Sequence, residues 1–252
     1  MKKILLFLFL LPAISYSQTT IIIVRTSYGI FVGSDTKRGT TLYDPISRNV
    51  ISEKSDTVCK IHKSNNIYYA IAGAMPELIA DEIDKSICQK KSFDSTLNIV
   101  IEKVSSVRTS FLKELQKNDK SIFENRFEEL RSLEVALLGY EKHIPKTVRI
   151  VFSITSKKSQ PVQTKDTIAS KNLDIPAFQN EFIPFPMGHA EEIKHLMFTR
   201  ECWLDKHPLV AIKQLIQIEA KAHPESVSEP IDLLTITENS YQWLEGPAKP
   251  SF

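Results

Sequence analysis

The stretch from Thr19 to Lys37 constrains the fold more than any other. Thr19-Thr20 leads into Ile21-Ile22-Ile23-Val24, a β-branched run that favours extended backbone. Ser27-Tyr28-Gly29 supplies a turn and Ile30-Phe31-Val32-Gly33 a second apolar run, so the segment is expected to be a β-hairpin. Asp35 and Lys37 close its second strand. The hairpin brings a threonine at the start of one strand next to an acid and a base at the end of the other. An N-terminal threonine nucleophile needs that arrangement, because its own α-amine is the general base and neighbouring charges set the amine's pKa.

Residues 1–18 read as a secretory leader ahead of a single domain spanning 19–252. Lys2-Lys3 is a positive start, residues 4–11 are apolar, and small residues follow at 13–17. The apolar run is too short to span a bilayer comfortably. Exported protein, periplasmic or extracellular, with no membrane attachment after cleavage is the expectation. No cysteine lies near the cut, which argues against a lipoprotein. Ser15 and Ser17 favour cleavage after Ser17, one residue short of the cut that frees Thr19.

The remaining chain carries a full core. Its 252 residues are 42% hydrophobic and 25% charged, with a net charge of +2 and no basic tract, so nothing points to nucleic acid. Residues 38–57 are polar, contain Asp44-Pro45, and read as a loop. A second hairpin is expected from Val58 to Gly73, turning at Ser64-Asn65-Asn66. Pro76 opens a helix with Leu78, Ile79, Ile83 and Ile87 on one stripe. A longer helix follows, capped by Asp94 or Ser95, and residues 118–131 read as a charged helical extension or loop. Strands are expected at 133–140, 147–154 and, more weakly, 161–169, and residues 170–187 carry several prolines and resist assignment. Helices at 190–198 and 208–222 and strands at 231–237 and 241–244 complete the order. Amphipathic helices need a sheet to cover, and that sheet's other face needs covering too. The expected fold is α+β: a four-layer αββα sandwich, two antiparallel sheets between helix layers.

Further motifs sharpen this. Lys60-Ile61-His62 opens the third strand and Tyr69-Ala70-Ile71-Ala72-Gly73 forms the fourth. Leu138-Gly139-Tyr140-Glu141 is a glycine, aromatic, acid turn, and Glu225 and Ser228 precede Ile231-Asp232. With Thr19-Thr20-Ile21, Gly29-Ile30 and Gly33-Ser34-Asp35-Thr36-Lys37, these residues resemble the proteasome family. That family comprises β-type subunits and their bacterial relatives, within the N-terminal nucleophile hydrolases. The resemblance implies Thr19 as nucleophile through Oγ1, with Lys60 beside it lowering the pKa of hydroxyl and amine. It implies Asp35 as the partner that holds Lys60, and Glu225 and Ser228 as supports of the free amine. Backbone N–H groups near Gly73 or Gly188 would form the oxyanion hole. The chain departs from the family's pattern in three places: Gln18 stands before Thr19 where the family has glycine, Gly188-His189 where it often has glycine-serine, and Glu225 where aspartate is usual.

The expected activity is therefore a threonine-type peptidase or amidohydrolase acting through an acyl-enzyme on Thr19, on a peptide or other amide. The alternative is a non-catalytic subunit of the same fold, a structural or binding module. Family members assemble through their helices, so a homo-oligomer, ring or dimer, is expected. No cofactor is called for, and no His/Asp/Glu cluster shows metal-ligand spacing. No G-x-S-x-G elbow is present. Cys59, Cys88 and Cys202 read either as small core residues or as one disulfide plus a free thiol.

Overall fold

A computed structural model describes residues 13–17, 19–43, 50–87, 92–172, 184–198 and 206–245. The hairpin is present: β2 (Thr20–Arg25) pairs antiparallel with β3 (Ile30–Asp35), Ile21 opposite Ser34. The Thr26 N–H donates to the Gly29 carbonyl at 2.8 Å to close the turn. Every residue of both strands is buried. Ile21 and Ile23 face one apolar cluster and Ile22 and Val24 another, which explains why β2 is an unbroken apolar run and does not alternate.

The remaining strands are β1 (Ala13–Ser17), β4 (Lys37–Tyr43), β5 (Val50–Thr57), β6 (Ile61–Ser64), β7 (Ile67–Ala74), β8 (Ser132–Glu141), β9 (Ile144–Ile154), β10 (Thr164–Asn172), β11 (Pro184–Gly188), β12 (Ile231–Ile236) and β13 (Tyr241–Glu245). The helices are α1 (Pro76–Ile87), α2 (Phe93–Asn118), α3 (Lys120–Asn125), α4 (Phe127–Leu130), α5 (Glu191–Phe198) and α6 (Pro208–Ala222). Ser92, ahead of both expected caps, caps α2, its side chain accepting from the Ser95 N–H at 3.2 Å.

The expected fold class needs correction. Two sheets between helix layers do not account for the chain, which forms three antiparallel bodies. One runs β10-β9-β8-β7-β6, and a second runs β11-β2-β3-β12-β13. The third, β1-β4-β5, pairs with the first, among the described residues, through Tyr16 opposite Ala74 and Ser17 opposite Gly73. It arises from two stretches assigned otherwise in the sequence. Residues 13–17, read as leader, form β1, and residues 38–57, read as loop, largely form β4 and β5. Residues 38–57 lack the apolar alternation by which a strand is recognised, and the short Ile14/Tyr16 alternation of β1 lies in a stretch that also reads as a leader. Cys88 and Cys202 lie outside the described residues; Cys59 carries a free, half-buried thiol.

Apolar clusters hold these bodies together. One packs α1 and α2 on β7, β8 and β9 through Ile79, Ile83, Val100 and Val104. A second lies between β2-β3-β12 and β7-β8, with Ile21, Val32, Ala70, Leu138 and Leu234. A third seats α6 on β2 and β3. That seating depends on Gly33, where an added Cβ would lie 2.2 Å from Ile212 Cγ2, so the helix approaches as closely as it does because no side chain stands there. Among the described residues, no helix is long and apolar enough to cross a membrane.

Candidate active site

Three chain segments converge at the open end of the hairpin. Asp35 ends β3 and is fully buried. Its Oδ1 accepts the Thr20 N–H at 2.8 Å, and its Oδ2 accepts the Lys37 N–H at 3.1 Å. Lys60 arrives just ahead of β6, on a segment tied to the hairpin by the Val58 N–H donating to the Thr36 carbonyl at 2.8 Å. Lys60 Nζ lies 3.0 Å from each Asp35 oxygen. The two side chains form a buried, bidentate pair. Burial pushes Asp35 up and is opposed by Lys60; burial pushes Lys60 down and is opposed by Asp35.

Thr19 stands at the mouth of β2, wholly buried, and its Oγ1 has no hydrogen-bond partner among the described residues. Lys60 is therefore not hydrogen-bonded to that hydroxyl. The Thr19 carbonyl accepts the His189 N–H at 2.8 Å, and the Thr20 hydroxyl donates to the His189 carbonyl. Gly188, with φ of 71°, makes this clamp possible. Gly73 and Gly188, the expected oxyanion donors, both line a cleft of about 560 Å³ with Ala72, Ser132, Glu134 and His189. The Gly188 N–H points at Glu134 Oε2, 3.4 Å away, so in this arrangement it is not free to receive an oxyanion.

The structure does not bring the other two expected site residues into the pair. Glu225 is exposed, beside Ser226 and 3.6 Å from His223 Nδ1. Its carboxyl is held below the usual range, first by its own backbone N–H and then by Ser226. No hydrogen bond or ion pair among the described residues joins Glu225 or Ser228 to Thr19, Asp35 or Lys60. Lys37 also turns outward, its Nζ donating to the Pro224 carbonyl at 2.8 Å.

Asp232 completes the buried charge, and sequence reasoning missed it. It lies on β12 opposite Ser34, wholly buried. Its carboxyl is pushed up to about 6 by burial, against the pull of Cys59 and Lys60. The Cys59 thiol is pushed up to about 12 by burial and then by Asp232, which makes it a poor nucleophile. The signal was present in Ile231-Asp232-Leu233-Leu234, an acid inside an apolar strand.

This acid sets a pH dependence. An unfolded aspartate titrates near 3.8, whereas Asp232 in the fold titrates near 6. Between those values the folded chain holds a proton that the unfolded chain has released. Stability contributed by that proton is present at low pH and lost as pH rises through about 6, a change of about 2–3 kcal/mol. Asp232→Asn is expected to be more stable than the parent at pH 8 and indistinguishable from it at or below about pH 4. Urea unfolding at the two pH values measures the difference.

A second polar group lies on the far side of the Thr19 clamp. His189, Glu219 and His223 point ligand atoms toward one another, all within 4.8 Å. The sequence had suggested no metal spacing, because only Glu219 and His223 are neighbours along the chain, one helical turn apart.

No family of known proteins matches the sequence, and no curated protein does. Among solved structures, the chain is similar to the Anbu (Gly-1) mutant from Hyphomicrobium sp. strain MC1. The identity is 14% and the TM-score 0.44, over 90% of this chain and 85% of that one. At that distance the likeness does not bear on what the site does.

Proposed function

We propose that the protein is a threonine-type N-terminal-nucleophile hydrolase that cleaves an amide bond, in peptides first of all, through an acyl-enzyme on Thr19. One observation carries the reading. The Lys60–Asp35 pair is buried at the mouth of β2, and Asp35 is hydrogen-bonded to Thr20, the residue next to a buried hydroxyl that has no partner among the described residues. The Thr20 N–H fixes the strand, the carboxylate fixes the lysine, and the lysine biases protons at the strand's start. The α-amine of Thr19 becomes a base only when the bond to Gln18 is cut. Removal of residues 1–17 on export, followed by trimming of Gln18 or self-cleavage of the bond before Thr19, supplies that step in this reading. A small or unfolded substrate then enters the cleft lined by Gly73, Glu134 and Gly188.

One observation favours a second reading, a non-catalytic binding or structural module. Residues 13–17 form β1, paired with β4 and β7, and in a chain that keeps them Thr19 has no free amine. Intact mass and peptide mapping of protein purified from its native host, after treatment with a threonine-directed acylating probe, separate the two. The hydrolase reading expects a chain beginning at Thr19, one adduct on it, and no adduct in Thr19→Ala. A chain that retains Gln18 and takes no adduct overturns it.

A further inference from the structure

We propose that His189, Glu219 and His223 form a binding site for a divalent metal ion of zinc type, which fastens the end of β11 to the C-terminal end of α6. The geometry is that of ligands around an ion. Glu219 Oε1 lies 4.0 Å from His189 Nε2 and 3.8 Å from His223 Nε2. Both separations are too long for hydrogen bonds. Around a tetrahedral zinc with bonds of about 2.1 Å, neighbouring ligand atoms stand about 3.4 Å apart, so small side-chain movements close the set. The two imidazoles meet edge to face with centroids 4.5 Å apart, and both aim Nε2 at the same carboxylate.

Each ligand is prepared for the role. His189 Nε2 is shut off from solvent with no hydrogen-bond partner among the described residues, an uncompensated buried atom that an ion would satisfy. Glu219 is wholly buried and already oriented, since Oε1 accepts the Glu191 N–H at 3.1 Å and Oε2 the Ile193 N–H at 3.2 Å. An oxygen that accepts one amide keeps a second lone pair for a metal. His223 Nδ1 lies 3.6 Å from Glu225 Oε1, so one nitrogen faces the site and the other a carboxylate. Metal-bound histidines are oriented in that way. Two histidines and a glutamate leave a fourth position for water or an added ligand.

The site is independent of Thr19 as a nucleophile, although His189 joins them through its backbone clamp on Thr19. Titration of the metal-stripped full chain with zinc chloride by calorimetry, and with cobalt chloride by visible absorption, tests it. One equivalent of zinc per chain is expected, with a rise in Tm and the absorption of low-symmetry cobalt(II). His189→Ala and His223→Ala should each lose the ion. Glu225→Gln, an exposed change that leaves the fold intact, should weaken binding roughly tenfold. Thr19→Ala should bind as the parent does. No uptake of zinc by the full chain, or uptake that survives both histidine variants, overturns the proposal.

Discussion

Lys60→Met is expected to destabilise the chain by about 3–5 kcal/mol, because it leaves a buried carboxylate without its cation. Asp35 has no exposed surface and keeps only the Thr20 and Lys37 amides as donors once Lys60 is gone. For a chain of this length the loss amounts to roughly 6–20 °C in Tm. The variant has an escape, which gives the prediction a second arm. Asp35 can take up a proton, and burial already pushes its carboxyl up. The folded variant then binds a proton that the unfolded chain does not, so its deficit shrinks as the pH is lowered toward about 4. Lys60→Met/Asp35→Asn removes both charges and keeps an oxygen for the Thr20 amide. It should recover most of the stability while losing any acylation of Thr19. A double variant no more stable than Lys60→Met alone would mean that the two charges are not coupled.

This pair also marks how far the sequence could be read. The hairpin was legible because β-branched runs and a turn glycine are local signals, whereas a place for Lys60 beside Asp35 came only from the family resemblance. Asp35 ends β3 and Lys60 stands just ahead of β6, 25 residues on, each beside a strand whose type its neighbours declare. The third sheet body was not legible. Its strands are Ala13–Ser17 and the polar pair Lys37–Tyr43 and Val50–Thr57, where Thr, Ser, Lys and Arg outnumber apolar residues. Ladder pairing, which any sequence can supply, makes those strands. The same limit hid the site's other members. Asp232 joins the pair because β12 lies beside β3, and His189 meets Glu219 because β11 ends beside α6, a juxtaposition of chain segments 30 residues apart. Glu225 and Ser228 show the converse: a motif in the expected order, in a segment that meets the hairpin at Thr36 and Lys37 while the Glu225 carboxylate lies beside His223, with no hydrogen bond or ion pair to Asp35 or Lys60 among the described residues.

Gly188→Ala is expected to cost about 4 kcal/mol, and the reason is local. A Cβ at this position would stand 1.8 Å from the Thr19 carbonyl oxygen, which is backbone and cannot swing aside as a long side chain could. Gly188 also has φ of 71°, in the left-handed region, which costs a residue with a Cβ about 1 kcal/mol or more. Overpacking adds about 1–3 kcal/mol even where neighbours can yield. The only relief is separation of β11 from β2, and that stretches the bond from the His189 N–H to the Thr19 carbonyl, 2.8 Å in the parent. Gly139→Ala is the matched control, since its Cβ would come no closer than 3.4 Å to any atom. Denaturant unfolding should therefore show a large loss for Gly188→Ala and a small one for Gly139→Ala. Amide exchange at His189 should quicken more than exchange at Ile22 or Ile23, because the strain enters at the clamp and the strand interior is held by its own ladder. Equal losses for the two glycine variants would mean that β11 yields freely, and then Thr19 is not held by the clamp at all.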